Sequence, residues 1–293
     1  MTDTLAIAFA TSQDVPDLTE DDRLLVRALR ELGVKAGPVV WSNAVLDWHL
    51  FSAVLIRSCW DYHRRHDEFL AWVDRVSSAG VRIFNPPALV RWNSEKTYLR
   101  DLEQLSIPVV PTQWVEKGAA VTLAKVLAKG GWSDAVVKPA VSASAHETWR
   151  TSAATAAADD ARFQQMVARG RVLVQPFLDV IQREGEWSVL FYGGAYSHAV
   201  LKKPNEGDFR VQKEHGGTAA LQMPPGGVID AARRALRAAA RGREESLYAR
   251  VDGCVLGGQF LLMELELIEP DLFMRKQPGA PERLASALLS SLR

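Results

Sequence analysis

The chain has 293 residues, 47% hydrophobic and 24% charged, which gives ample apolar material for a globular core and room for two or three domains. Lys plus Arg and Asp plus Glu both number 35, a balance that excludes the basic footprint of a nucleic-acid or anionic-membrane binder. The start, Met1 to Ala10, carries no basic leader, and no apolar run is long and uncharged enough to span a bilayer. Cys59 and Cys254 lie far apart in strand-like sequence, which implies reduced core thiols and a cytoplasmic setting.

In chain order, a strand at Leu5 to Phe9 leads through a loop to a helix at Thr19 to Leu32, whose Leu25, Ala28, Leu29 and Leu32 recur at helical spacing. Strands at Pro38 to Trp41, Ala53 to Ile56 and Val81 to Phe84, with a helix at Asp67 to Ser78, extend an alternating βα pattern to about Pro87. That pattern predicts an open parallel α/β sheet. No GxGxxG follows the first strand, so the region is left for substrate or scaffolding rather than a dinucleotide. Ligands gather at the strand ends of such sheets, and Ile56-Arg57-Ser58-Cys59-Trp60-Asp61-Tyr62 follows a buried strand. Arg57 suits a carboxylate, Asp61 an amine and Ser58 a hydrogen bond, while a plain turn around Trp60 fits equally well. Asn85 and Arg275 are further substrate candidates of the same kind.

The second region opens at Trp92-Asn93-Ser94-Glu95-Lys96, where Asn93 or Ser94 is expected to cap a helix to Gln104. A strand at Thr112 to Val115 and a helix at Thr122 to Lys129 follow. A further strand ends at Lys138, before the small-residue loop Ser142-Ala143-Ser144-Ala145. A lysine beside small side chains suits phosphate oxygens, through the ammonium, backbone N–H groups and the Ser142 and Ser144 hydroxyls; a surface hairpin is the competing reading. Thr151 to Arg169 reads as an amphipathic helix.

The third region has strands at Val172 to Leu178 and Glu184 to Phe191, the basic pair Lys202-Lys203, the segment Asp208 to Gln212 and a helix at Val228 to Leu247, an α+β pattern. It ends in an apolar hairpin holding Asp252, Glu264 and Glu266. Buried carboxylates demand compensation. Glu264 and Glu266 share a strand face, and Asp252 joins them if it pairs opposite Glu264, which calls for a three-residue loop at Gly257 to Gln259 or a bulge. Oxygen-only ligands favour magnesium, which usually also binds substrate phosphates; an edge hairpin with solvated acids is the alternative. His146 and His215 sit in polar loops and read as solvated.

The order of these elements resembles the ATP-grasp superfamily, well over Asn93 to Asp271 and more loosely before it. The resemblance implies an N-terminal α/β domain (1–92), a lobe with the phosphate loop (93–177) and a lobe with the magnesium site (178–293), ATP lying between the lobes. Lys96 and Lys138 match nucleotide lysines, Gln175, Pro176, Phe177 and Leu178 an adenine-binding hinge, and Glu186 a ribose contact. Arg210 matches the arginine that steadies the transferred phosphate, so that Arg210 and Lys138 are the catalytic candidates, and Asp252, Glu264 and Glu266 match the metal ligands. Two features depart from the pattern: the phosphate loop lacks glycine, and Glu266 stands where Asn is common.

The implied activity is an ATP-dependent carboxylate-amine ligase that forms an amide through an acyl phosphate, using ATP and two Mg2+ ions, with Mn2+ as a substitute. Arg-Ser-x-Trp-Asp-Tyr at 57–62 and Glu-Leu-Glu-Leu-Ile-Glu-Pro-Asp-Leu-Phe at 264–273 are most similar to the subgroup containing the D-cycloserine ligase and glutathione-synthetase-like proteins. That subgroup implies a small amino-acid-like substrate and either intramolecular cyclisation, as from O-amino-D-serine, or intermolecular ligation. A kinase that stops at phosphoryl transfer and a nucleotide-binding module without turnover stay open, as does a homo-oligomer. Neither nucleic acid nor membrane is an expected partner.

Overall fold

The computed structural model of the protein describes residues 5–292. Met1 to Thr4, part of the segment read as carrying no basic leader, lie outside the described residues, as does Arg293. The first unit is β1 (Ala6–Thr11), α1 (Glu20–Glu31), β2 (Lys35–Val40), β3 (Ala53–Ser58), α2 (His66–Ser78) and β4 (Arg82–Phe84). Its strands form a parallel sheet in the order β2-β1-β3-β4, as the alternating pattern predicts. Thr19 caps α1 by accepting a hydrogen bond from the Asp22 N–H at 3.2 Å, and Glu20, Asp21 and Asp22 place negative charge at the positive end of the helix. Leu25 and Leu29 then lie on Ile7 and Phe9 of the sheet.

The chain next forms two short helices, α3 (Pro87–Asn93) and α4 (Tyr98–Gln104). Neither Asn93 nor Ser94 caps α4, contrary to expectation: Pro87, with its fixed backbone angle, starts a helix one turn earlier. The Asn93 carboxamide instead donates to Leu265 O at 2.8 Å and accepts from the Leu267 N–H at 2.9 Å.

A second sheet contains β5 (Gln113–Val115), β6 (Asp134–Pro139), β7 (Trp149–Ser152) and β8 (Val172–Pro176), antiparallel in the order β5-β8-β6-β7, with α5 (Leu123–Gly130) and α6 (Ala156–Arg169) against it. The helix expected from Thr151 begins only at Ala156. Trp149 and Thr151 alternate inward as strand residues, and the Thr151 hydroxyl donates to Asp159 of α6 at 2.7 Å.

A short helix α7 (Asp179–Arg183) leads into the third sheet, β9 (Glu186–Tyr192), β10 (Ala195–Lys203), β11 (Thr218–Leu221), β12 (Tyr248–Leu256) and β13 (Gln259–Glu266), antiparallel in the order β11-β10-β9-β12-β13. Helix α8 (Val228–Ala239) packs on this sheet, and α9 (Ala280–Leu292) returns to the first unit, where Leu284 and Leu288 share a core with β1 and α1. α8 is shorter than the helix expected to Leu247. Gly242 takes a left-handed turn, and Tyr248 is already the first residue of the buried β12. Among the described residues no helix is long and apolar enough to cross a membrane.

The β12–β13 hairpin differs from the expected three-residue loop. Gly257 and Gly258, with φ of 58° and 78°, form a two-residue turn between Leu256 and Gln259. Register is corrected further down, where Gly253 pairs with Leu262 and Asp252 with Glu264, leaving Met263 as the bulged residue. A side chain at Gly253 would lie 2.4 Å from both Leu261 O and the Phe260 ring, so the bulge needs glycine there. The bulge therefore sets Asp252 opposite Glu264.

Candidate active site

The three sheets and the helices between them enclose a cleft of about 810 Å³. From the first unit come the C-terminal end of β3, with Arg57 and Ser58, and the start of α1, with Asp21 and Asp22. The second sheet presents Lys138 and the loop after β6, and the third presents Glu186, Lys202 and the acidic hairpin.

The hairpin face is a ladder of compensated charge. Ser188 on β9, Asp252 on β12 and Glu264 on β13 are cross-strand neighbours. Asp252 is 2% exposed and accepts from Ser188 Oγ at 2.5 Å, from Lys202 Nζ at 3.2 Å and from Arg250 Nη2 at 3.0 Å. Burial opposes its charge, but Arg250 and Lys202 outweigh that and hold its pKa below the usual carboxylate value. Glu264 is likewise disfavoured by burial yet kept ionised by Lys96, whose Nζ lies 2.8 Å away, and by Lys138. Glu266 pairs with Arg250, but burial together with Asp252, Glu264 and Glu269 pushes its pKa up to about 8.

Among the described residues no three His, Cys, Asp or Glu side chains converge closely enough to hold a metal ion by themselves. Magnesium, which completes its shell with waters and substrate phosphates, does not require that. The donor set fits it: oxygen ligands only, on a rigid sheet, with Glu266 raised by burial and by its acidic neighbours beyond what Arg250 offsets. Asp252 differs from its two neighbours, since both of its oxygens are already engaged.

Lys96 Nζ also donates to Ser142 O at 2.9 Å and so ties the loop after β6 to the hairpin. Ser142 is buried, whereas Ser144 is exposed, and Ser144, Ala145 and Glu147 have φ of 49°, 55° and 55°. Without glycine the loop still takes left-handed conformations, each costing a non-glycine residue roughly 1–2 kcal/mol. Lys138 has no ion pair within 4.0 Å among the described residues; burial, with a smaller contribution from Lys96, lowers its pKa to about 8 against the pull of Glu264.

Pro176, Phe177 and Leu178 line the cleft, with Phe177 beneath the Arg150 guanidinium at 3.9 Å and 6.1 Å from Phe209. An apolar wall of this kind suits a planar base. Gln175 lines the cleft too, its amide donating to Thr112 Oγ1 at 2.9 Å. Glu186 is buried and 2.5 Å from Lys202 Nζ, and burial raises its pKa despite that partner. Arg210 reaches the cleft with its guanidinium forked on Asp208, at 2.8 and 3.1 Å.

The substrate candidates divide. Arg57, Ser58 and Arg275 line the cleft. Arg57 Nε donates to Asp22 at 2.7 Å and Ser58 Oγ donates to the same carboxylate at 2.5 Å, while Arg275 is paired with Asp21 and Asp271. Asp61 and Asn85 lie outside the cleft wall. Asp61 turns back to accept from Trp41 Nε1 at 2.8 Å, because a buried indole N–H requires a partner. Asn85 is fully buried and joins two strands, accepting from the Leu247 N–H at 2.6 Å and donating to Tyr248 O and Leu267 O at 2.8 and 2.7 Å. In this structure both side chains are engaged in structural hydrogen bonds away from the cleft.

His146 and His215 stay outside the cleft wall, and Cys59 and Cys254 are buried and unbridged. Arg250, Asp22 and Glu269 line the cleft but were not singled out from sequence, and Lys202 was noted only as part of a basic pair. Strand alternation places Arg250 on the face of Asp252, a signal that was available; Asp22 reads only as an acid in a helix's first turn.

With this geometry in hand, comparison with known proteins gives a consistent picture. The family profile described as "D-cycloserine synthetase DcsG, N-terminal domain" matches residues 7–85. The cycloserine biosynthesis protein DcsG of Streptomyces lavendulae is 30% identical, over 98% of this chain and 97% of its own. The crystal structure of D-cycloserine synthetase DcsG superposes with a TM-score of 0.88 at 29% identity, covering 98% of this chain and all of that one. A D-alanine–D-alanine ligase from Bacillus anthracis shares the fold, with a TM-score of 0.71 at 13% identity, over 99% of this chain and 97% of that one.

Proposed function

The chain belongs to the ATP-grasp ligases, in the family of D-cycloserine synthetase, and we propose that it closes O-amino-D-serine onto its own carboxylate to give a cyclic amide. The observation that carries this reading is that one cleft joins nucleotide-type lysines, the acidic hairpin and the β3 strand end of the first unit, over a chain alike from end to end. In this reading the three units are 1–92, 93–177 and 178–293. Intermolecular ligation in the same cleft is the second reading, and the product distinguishes the two.

Glu264 and Glu266, with Asp252 behind them, would hold magnesium, which when bound neutralises charge on the phosphates of ATP. The substrate carboxylate takes the γ-phosphoryl group and becomes an acyl phosphate; the aminooxy nitrogen then attacks the acyl carbon and phosphate departs. Lys138 and Arg210 supply fixed positive potential where negative charge develops. Lys96 positions the loop through Ser142 and the hairpin through Glu264. Pro176, Phe177 and Leu178 pack the base, with Gln175 and Glu186 on the polar side of the same wall. The loop at Ser142 to Ala145, closing over the phosphates, excludes the water that would hydrolyse the acyl phosphate. Because nucleophile and electrophile sit on one small molecule, holding it bent gives the second step its entropic advantage.

The test is ADP release and product formation with O-amino-D-serine, ATP and magnesium. Cyclic product formed together with ADP and phosphate supports the reading. ADP release without loss of the free aminooxy group would instead indicate phosphoryl transfer alone.

A further inference from the structure

Each of the other buried or half-buried carboxylates in the cleft wall has a cation within 4.0 Å, as in Asp22 with Arg57, Glu264 with Lys96, Glu266 with Arg250 and Asp271 with Arg275. Glu269 is the exception among the described residues: it is half-buried, lines the cleft and has neither an ion pair nor a side-chain hydrogen bond. Its backbone is held from the first unit. Trp60 Nε1 donates to Glu269 O at 3.1 Å, and Arg57 Nη2 donates to Pro270 O at 2.6 Å. Glu269 is thus fixed on the side of the cleft formed by the β3 strand end. Burial, opposed by Lys96 and reinforced by Glu264, raises its pKa to about 7, as befits a carboxylate lacking a counter-charge.

A second unsatisfied group belongs to the residue that anchors this segment. Arg57 is 2% exposed and lines the cleft, and its Nη1 is buried without a hydrogen-bond partner although Nε and Nη2 are both engaged. An unpaired acid and an unpaired guanidinium nitrogen, on segments tied through consecutive carbonyls, are the two charges that a small zwitterion calls for. We propose that Glu269 binds the α-ammonium of the amino-acid substrate, with Arg57 Nη1 facing its carboxyl end. This rests on the ligase reading above, and it transfers to Glu269 the amine-binding role that Asp61, turned toward Trp41, does not fill.

The experiment compares wild type, Glu269→Gln and Glu269→Asp in ADP release with O-amino-D-serine and with its analogue carrying a hydroxyl in place of the α-ammonium. Loss of a charge-assisted hydrogen bond raises KM for the amino acid on the order of 10- to 100-fold in the Gln variant, and leaves KM for ATP unchanged. The wild type's preference for the amine over the hydroxyl analogue disappears in that variant, and Asp restores part of it. An unchanged KM for the amino acid, equal losses toward ATP and amino acid, or a higher magnesium requirement alone would overturn the assignment. If wild type turns over neither compound, the cyclisation reading fails. Calorimetric binding of O-amino-D-serine and D-alanine to protein loaded with magnesium and a non-hydrolysable ATP analogue then decides: tighter binding to wild type than to Glu269→Gln supports the role of Glu269, and equal or absent binding refutes it.

Discussion

The β12–β13 hairpin and the turn after β6 reach the same cleft from different sheets and handle charge in opposite ways. On the hairpin, Asp252, Glu264 and Glu266 each have a cation in place, held by a ladder of strand pairing. At the end of β6, Lys138 has no ion pair among the described residues, and the loop beyond it takes left-handed conformations with serine and alanine in place of glycine. A sheet can hold several buried charges close together because each has a fixed partner. A lysine without a fixed partner keeps its positive charge available to a ligand, as the proposed phosphate role requires. Lys96 touches both regions, through Glu264 and Ser142.

The sharpest way to break this contrast is to remove Arg250, which serves both Asp252 and Glu266. Arg250→Met leaves two buried acids undercompensated, and we expect a loss of about 3–5 kcal/mol of stability, read as a drop in the thermal midpoint of the nucleotide-free protein. Added magnesium should recover part of that loss; a midpoint unchanged by the substitution would mean that the hairpin charges are not held as described.

Glu264→Gln comes next. It preserves shape and removes charge, and magnesium-dependent ADP release should fall by about 10²–10³-fold while the thermal midpoint stays near that of wild type. Full activity in this variant would remove the hairpin from the catalytic site.

The smallest effect is expected on the other side. Lys138 has its pKa lowered to about 8, so between neutral pH and pH 9 the nucleotide-free protein loses this charge. Since ATP binds the protonated lysine better, KM for ATP should rise several-fold over that interval, and Lys138→Arg, charged throughout, should flatten the profile. The stability sign is separate: a lysine with a depressed pKa destabilises the fold while it is charged, below about 8, and that cost shrinks as pH rises toward 10.5. A pH-independent KM would show that Lys138 already has a partner.

Much of the site was legible because it rests on local pattern. The parallel sheet follows from alternating strands and helices, and Lys138 before a run of small residues marks the proposed phosphate side. Glu264 and Glu266 share a face through strand alternation alone. Legibility failed where a side chain's partner is remote in sequence. Asp61 and Asn85 have the chemistry of ligands, but Trp41 and the backbone at Leu247, Tyr248 and Leu267 claim them. The bulge at Met263 was one of two ways to set Asp252 opposite Glu264, and the tight packing around Gly253 favours that one over the longer loop.

By itself the sequence determined which charges this protein carries, their spacing along strands, and the α/β and α+β units that hold them, because propensity, periodicity and turn chemistry act over a few residues. Tertiary structure alone decided which of those charges are spent on one another. Arg57 is tied to Asp22, Arg250 to Asp252 and Glu266, and Glu269 is left without a cation among the described residues, since pairing in a low-dielectric cleft depends on ångström-scale distances between elements far apart in the chain.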